Sequence, residues 1–278
     1  MKRAQTVRPR WRRTAIAAAV VALAAAGLLA GCARTPAAAA CGQYQYSAGS
    51  TVNPDQPFAG RFGLLVILLD LPANSPATAS MIDTDLHPYL QAAVDQGEFV
   101  KIEADGGEGT QLRSSPCFDG TQPFLVTRAN QIAQQKSQTA AVNALDNMLK
   151  SFVESVKVSA RGSASRLLHE APDQVSGLRS SAPDPVGPAQ VILWSNLLGS
   201  STESDCLNLN GVPGTPAYAS AIAKRCFSER QLIPLSGAAL DIIGVGAGAV
   251  DDQQSLLAGD LADALCREYG GGCRQSPA

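Results

Sequence analysis

Gly63-Leu64-Leu65-Val66-Ile67-Leu68-Leu69-Asp70 decides the fold. A strand with one wet face alternates apolar and polar side chains; this one is apolar without interruption from Leu64 to Leu69. Such a run suits a strand buried on both faces, as in the middle of a parallel sheet covered by helices. The run ends on an aspartate, and in open α/β sheets function gathers where the strands end.

Downstream, a loop with Pro72 and Pro76 leads to a helix expected over about Pro88 to Gln96, and Phe99-Val100-Lys101-Ile102 reads as a second strand. Residues 105–123 read as a long loop or weak edge strand held by Cys117. Ala141, Leu145, Met148, Leu149, Phe152 and Val156 recur at three- and four-residue steps, an apolar stripe on a helix of several turns. A further helix is expected from about Ala164 to Leu178, bent or ended by Pro172. Val191-Ile192-Leu193-Trp194 and Leu240-Asp241-Ile242-Ile243-Gly244-Val245 read as buried strands. A closing helix carries Leu257, Leu261 and Leu265 and stops at Gly270-Gly271-Gly272, where glycine can take a left-handed cap. Apolar strands alternating with amphipathic helices predict an α/β three-layer helix-sheet-helix sandwich with a mostly parallel central sheet. The expected divisions are a leader over 1–31, a tether over 32–58, one domain over 59–273 and a tail over 274–278.

Upstream, Arg8, Arg10, Arg12 and Arg13 precede an apolar run from Ala15 to Ala30, which ends in Leu29-Ala30-Gly31-Cys32. Basic head, apolar run and small-residue cleavage site make an export signal, and the cysteine marks a lipoprotein whose mature chain starts at the lipid-carrying Cys32. The run is short for a bilayer span of about 20 residues. Thr14-Ala15-Ile16 continues Arg12-Arg13 poorly for twin-arginine export, so the general secretory route is expected. The protein is therefore expected on the extracytoplasmic face of the cell membrane, held in the bilayer by its lipid. Residues 33–58, rich in Ala, Pro, Ser and Gly, read as a flexible spacer. Removing the leader takes away six basic residues and leaves 16 basic against 24 acidic, a net charge of −8. That balance argues against nucleic acid as a partner. Besides Cys32 there are Cys41, Cys117, Cys206, Cys226, Cys266 and Cys273, an even set that outside the cytoplasm reads as three disulfides. Proximity pairs Cys206 with Cys226 and Cys266 with Cys273, which leaves Cys41 with Cys117.

Taken in order, LLVILLD, ARGSASRLLHEA, VILWSN and LDIIGVGAG, with helices between them, resemble the von Willebrand factor A domain over roughly Phe62 to Tyr269. The resemblance implies a Rossmann-like topology and a role in protein–protein interaction. It also implies a divalent-cation site on three strand-end loops, where an acidic group of the partner completes the coordination. On this sequence the site maps to Asp70, Asn74, Ser163 (or Ser165) and Asn196. It departs from the family pattern: Pro72 and Asn74 replace two serines, and Asn196 stands where an aspartate is usual. A hard cation such as Mg²⁺ favours carboxylates, and Asp70 is the only one in this set, so tight metal binding is not expected. Asp70 and Asn196 are expected to hydrogen-bond nearby backbone instead.

Other motifs carry less. Gly244-Val245-Gly246-Ala247-Gly248 is a glycine string without the rest of a dinucleotide fingerprint, because one helix and a cysteine-tipped tail follow it and no strand is expected there. His169-Glu170-Ala171-Pro172-Asp173 begins like the helical zinc motif, but its fifth residue is Asp and a proline interrupts it. His87, before Pro88, is expected at a helix start. Glu103, Asp105 and Glu108 read as a solvated acidic loop without calcium-loop spacing. No Gly-x-Ser-x-Gly elbow or partnered nucleophile is present, so an enzyme is not expected. The function read from sequence is a membrane-anchored von Willebrand A-like interaction protein. Its rivals are a solute-binding lipoprotein, which would need two lobes, and an extracytoplasmic hydrolase.

Overall fold

The computed structural model describes residues 62–71, 78–105, 112–123, 130–157, 162–182, 186–198, 205–209 and 214–277. The leader, Cys32, Cys41, the tether, Asn74 and Glu108 lie outside the described residues. In chain order the elements are β1 (Phe62–Leu69), α1 (Ala79–Gln96), β2 (Phe99–Ala104), β3 (Arg113–Pro123), α2 (Gln131–Lys157), α3 (Ala164–Ser181), β4 (Val186–Trp194), α4 (Pro216–Ser228), β5 (Ala238–Val245), α5 (Asp252–Tyr269) and β6 (Cys273–Pro277). The strands form one sheet in the order β3-β2-β1-β4-β5-β6. Every pairing is parallel except that of β3, which runs antiparallel to β2 at one edge. This is the mostly parallel α/β sandwich expected from the sequence, in the Rossmann-like order.

β1 shows why its apolar run is unbroken. Leu65, Ile67 and Leu69 point into a core shared with α1 and α2, while Leu64, Val66 and Leu68 point into a second core built by α3, α4 and α5. Both sets are essentially without solvent contact. Full burial of such a side chain contributes about 1.5–3 kcal/mol, so the strand stabilises both layers at once. The described residues make one sheet, not the two lobes a solute-binding cleft requires.

Several expectations are corrected. α1 starts at Ala79, well before Pro88, because Thr78 caps it: its Oγ1 accepts the amide of Met81 at 3.1 Å. Pro88 lies inside the helix, where the stripe Ile82, Leu86, Leu90, Ala93 and Val94 runs through it and burial offsets the lost hydrogen bond. His87 is accordingly in mid-helix, its Nδ1 2.9 Å from Asp146 Oδ2 on α2. α3 likewise continues through Pro172 to Ser181, with Leu167, Leu168, Ala171, Val175 and Leu178 buried on either side. The expected tail is a strand: β6 pairs with β5 from Leu240↔Cys273 onward. Gly270 closes α5 at a positive φ of 86°, but with ψ at −166° rather than in the left-handed helical region. Glu103 and Asp105 are buried, not solvated.

Two disulfides join the predicted neighbours, Cys206–Cys226 with Cα atoms 5.6 Å apart and Cys266–Cys273 with Cα atoms 4.9 Å apart. Cys117 is disulfide-bonded as well.

Candidate functional site

Chain direction decides where polar groups collect. β1, β2, β4 and β5 all end at one edge of the sheet. α1, α4 and α5 follow strands and so open at that edge, and α3, which leads back into β4, opens there too. The sheet's ladder continues a step past its strands: the Asp70 amide donates to Trp194 O at 2.9 Å, that of Ser195 to Ile243 O at 3.0 Å, and that of Gly246 to Asn196 O at 2.9 Å. Asp70, Ser195 and Asn196 are thereby fixed side by side, and all three are buried.

The floor of this edge is closed by hydrogen bonds among its own groups. Ser195 Oγ donates to Asp70 Oδ2 at 2.6 Å and accepts the Leu197 amide at 3.1 Å. Asn196 Oδ1 accepts the Leu198 amide at 3.2 Å. These bonds hold Leu197 at a φ of 52°, a left-handed conformation that costs a non-glycine residue about 1–2 kcal/mol. Ser163 caps α3, its Oγ accepting the Arg166 amide at 3.3 Å, and donates to Asp205 Oδ2 at 2.8 Å. Ser165 Oγ stands 3.4 Å from Ser163 Oγ. Asp205 Oδ1 accepts the Leu207 amide at 2.9 Å, and Asp105, just past β2, accepts from Arg166 Nη1 at 3.1 Å.

Of the residues the sequence assigned to a cation site, Asp70, Ser163, Ser165 and Asn196 do lie at one edge, while Asn74 is outside the described residues. Asp70 is the one carboxylate in that assigned set, but Asp105 and Asp205, which the sequence did not assign to it, stand near enough to act on its charge. Burial chiefly, with the nearby charges of Asp205 and Asp105, pushes the Asp70 carboxyl up from 3.8 to about 7 against the lowering effect of the Ser195 hydrogen bond. Asp105 obeys the same strand-end rule as Asp70 and was there to be read from β2. Asp205 had no such signal: it sits ten residues beyond Ser195, held by its neighbour Cys206 in a bridge to α4.

The donors do not fit a hard cation as they are arranged. Asp105 is engaged by a guanidinium, both Asp205 oxygens accept hydrogen bonds, and the Asn196 oxygen is turned to the backbone. Among the described residues no three His, Cys, Asp or Glu side chains converge as an ion needs. The glycine string has a backbone explanation: Gly244, Gly246 and Gly248 all have φ near +75°. A Cβ on Gly244 would sit 2.8 Å from the Trp194 ring, and one on Gly246 2.7 Å from Ser255 Oγ. β5, α5 and β6 do form a βαβ unit, contrary to expectation, but the glycines are used to turn the chain.

A second polar group lies between α1 and α2, where Lys150 Nζ meets Asp83 Oδ2 at 2.7 Å beside the His87–Asp146 pair. Burial above all raises the Asp146 carboxyl above the usual range.

The edge also carries an apolar rim. Six large apolar residues are exposed among the described ones: Met81, Ile132, Tyr218, Ile233, Val250 and Leu256. Met81 and Tyr218 are third residues of α1 and α4, Val250 is in the turn after β5, and Leu256 is in the first turns of α5. These four ring the strand-end edge, whereas Ile132 and Ile233 sit towards the other end of the sheet.

No protein-family model matches the sequence, and no curated protein matches it. Among solved structures the chain is similar to a manganese-loaded TRAP protein of Plasmodium vivax at 15% identity, over 78% of this chain and 68% of that one, with a TM-score of 0.29.

Proposed function

We propose that this protein is a lipid-anchored, extracytoplasmic interaction module of von Willebrand A-like design, which docks a protein partner on the strand-end edge of its sheet. The observation that carries the reading is the rim: among the described residues, four of the six exposed large apolar side chains surround a polar floor whose groups already pair with one another. Contact surfaces commonly place apolar and aromatic side chains where they are desolvated and leave the polar groups satisfied. A metal-dependent adhesion site would instead expose uncommitted carboxylate oxygens. Partner recognition here rests on packing against Met81, Tyr218, Val250 and Leu256, without a tightly held cation and without catalysis. The anchor is the lipid on Cys32, motivated by Leu29-Ala30-Gly31-Cys32.

The test is photocrosslinking in intact cells from a benzoylphenylalanine at position 250, with the same group at position 132 as an equally apolar, exposed control. A discrete protein adduct from position 250 and none from position 132 is expected. Equal adducts from both positions, or adducts to lipid alone, would refute a protein-docking face at this edge.

A further inference from the structure

Helix α5 gives its inner face to the core, where Leu257, Ala258, Leu261, Ala262, Ala264 and Leu265 are buried. On the opposite side Asp252, Leu256, Gly259 and Asp263 follow at steps of four, three and four residues, which set them in one line along the helix. Leu256 in this line is 69% exposed. Asp252 and Asp260 stand one turn to either side of it.

Charge is one-sided here. Between Arg230 and Arg267 the sequence has no basic residue, while Asp251, Asp252, Asp260 and Asp263 lie on α5 or just before it. The first basic residue of α4, the neighbouring helix, is Lys224 in its third turn. Among the described residues none of the four aspartates takes part in an ion pair. Asp251 caps the helix, its Oδ1 accepting the Gln254 amide at 2.8 Å, and Asp263 Oδ1 accepts from Gln275 Nε2 at 2.7 Å. The side chains of Asp252 and Asp260 have no such partner among the described residues.

Gly259 is the second signal. Glycine weakens the interior of a helix, and nothing inside the protein requires it here: a Cβ would meet no atom within 4 Å. The missing side chain leaves a notch beside Leu256, which lets another chain approach the helix closely.

We propose that the outer face of α5 receives the docking partner, and that the partner's segment carries an apolar side chain between basic ones. The apolar group packs on Leu256 over Gly259, and the basic groups pair with Asp252 and Asp260. Exposed ion pairs add little affinity by themselves, so packing supplies the binding and charge selects the partner. Val250 and Leu256 belong to the rim, so the proposal rests on the docking reading above and adds the partner's chemistry to it.

Fluorescence anisotropy on the full exported chain tests it with two labelled synthetic helical peptides, one of leucine and lysine, the other identical but with glutamate for lysine. The lysine peptide should bind and the glutamate peptide should not. Asp252→Asn/Asp260→Asn should weaken binding of the lysine peptide about tenfold. Glu229→Gln/Glu268→Gln, which removes the same charge from the far ends of α4 and α5, should leave it unchanged. Gly259→Gln should raise the thermal midpoint, since the space is open and glutamine is the better helix former, yet weaken binding about tenfold. Gly177→Gln on α3, where a Cβ also meets nothing, should raise the midpoint and leave binding alone. Equal weakening by the two charge pairs, equal binding of the two peptides, or full binding by Gly259→Gln would overturn the proposal and leave the docking edge standing. A position 250 that yields no protein adduct would remove the edge, and this proposal with it.

Discussion

Replacing Asp70 by asparagine should make the protein more stable at neutral and alkaline pH and leave it unchanged in acid. The carboxyl is held by burial and by two neighbouring carboxylates at a pKa of about 7, against 3.8 when unperturbed. Between those values the folded chain keeps a proton that the unfolded chain has lost. Stability therefore falls as pH rises through this window: the Asp70 contribution is fully present below about pH 4 and fully lost above about pH 7. At 1.36 kcal/mol per pH unit, the whole window corresponds to on the order of 4 kcal/mol. Asp70→Asn keeps an oxygen for the 2.6 Å hydrogen bond from Ser195 and has nothing to titrate. Urea unfolding followed by the fluorescence of the buried Trp194, with chelator present, gives both stability curves. The variant should match the wild type within about 1 kcal/mol at pH 4 and exceed it by as much as about 4 kcal/mol at pH 8. A difference independent of pH, or a variant weaker than the wild type at pH 8, would mean that the fold does not hold Asp70 protonated. Other raised carboxyls, those of Asp146 and Glu98, are common to both proteins and drop out of the comparison.

Gly244→Ala should lose about 2–4 kcal/mol, because it combines a positive φ with a Cβ 2.8 Å from the Trp194 ring; the same urea titration reads it, and a loss under 1 kcal/mol would mean the turn relaxes freely. Replacing Cys206 and Cys226 together by serine should cost about 3 kcal/mol, as expected for opening a loop with a sequence separation of 20. The same change should loosen Asp205 and so speed hydrogen exchange of the Leu207 amide, which Asp205 Oδ1 accepts at 2.9 Å. Mass spectrometry of the exported chain should find three bridges and no free thiol, and a free Cys117 would contradict the pairing expected from the even set of cysteines.

Much of the fold was legible because it rests on periodicity. Leu64–Leu69 could be placed in mid-sheet from its unbroken apolar run, and the α2 stripe from Ala141 to Val156 from its spacing. The extents of α1 and α3 were hidden because Pro88 and Pro172 are breakers locally, whereas the stripes that override them are tertiary. α4 shows a buried stripe of Ala219, Ile222, Ala223 and Cys226, small side chains whose pattern is faint in sequence. β6 was hidden because its five residues are mostly polar, and what places it beside β5 is the turn after α5, which the Cys266–Cys273 bridge spans. At the strand-end edge, Asp70, Ser163 and Asn196 were found by their place after strands or before a helix. Asp205 was not, since only the folded loop brings it to Ser163, and with it went the true charge of the floor.

In the proposed mode of docking this floor is closed on itself, and the rim, not a cation, makes the contact. Isothermal titration of the folded protein with Mg²⁺ and then Mn²⁺ tests this most directly. No saturable heat up to millimolar ion is predicted, for the wild type and for Asp70→Ala alike. Micromolar binding that disappears in Asp70→Ala would contradict the claim, because Asp70, Asp105 and Asp205 would then be opening their hydrogen bonds to serve as ligands.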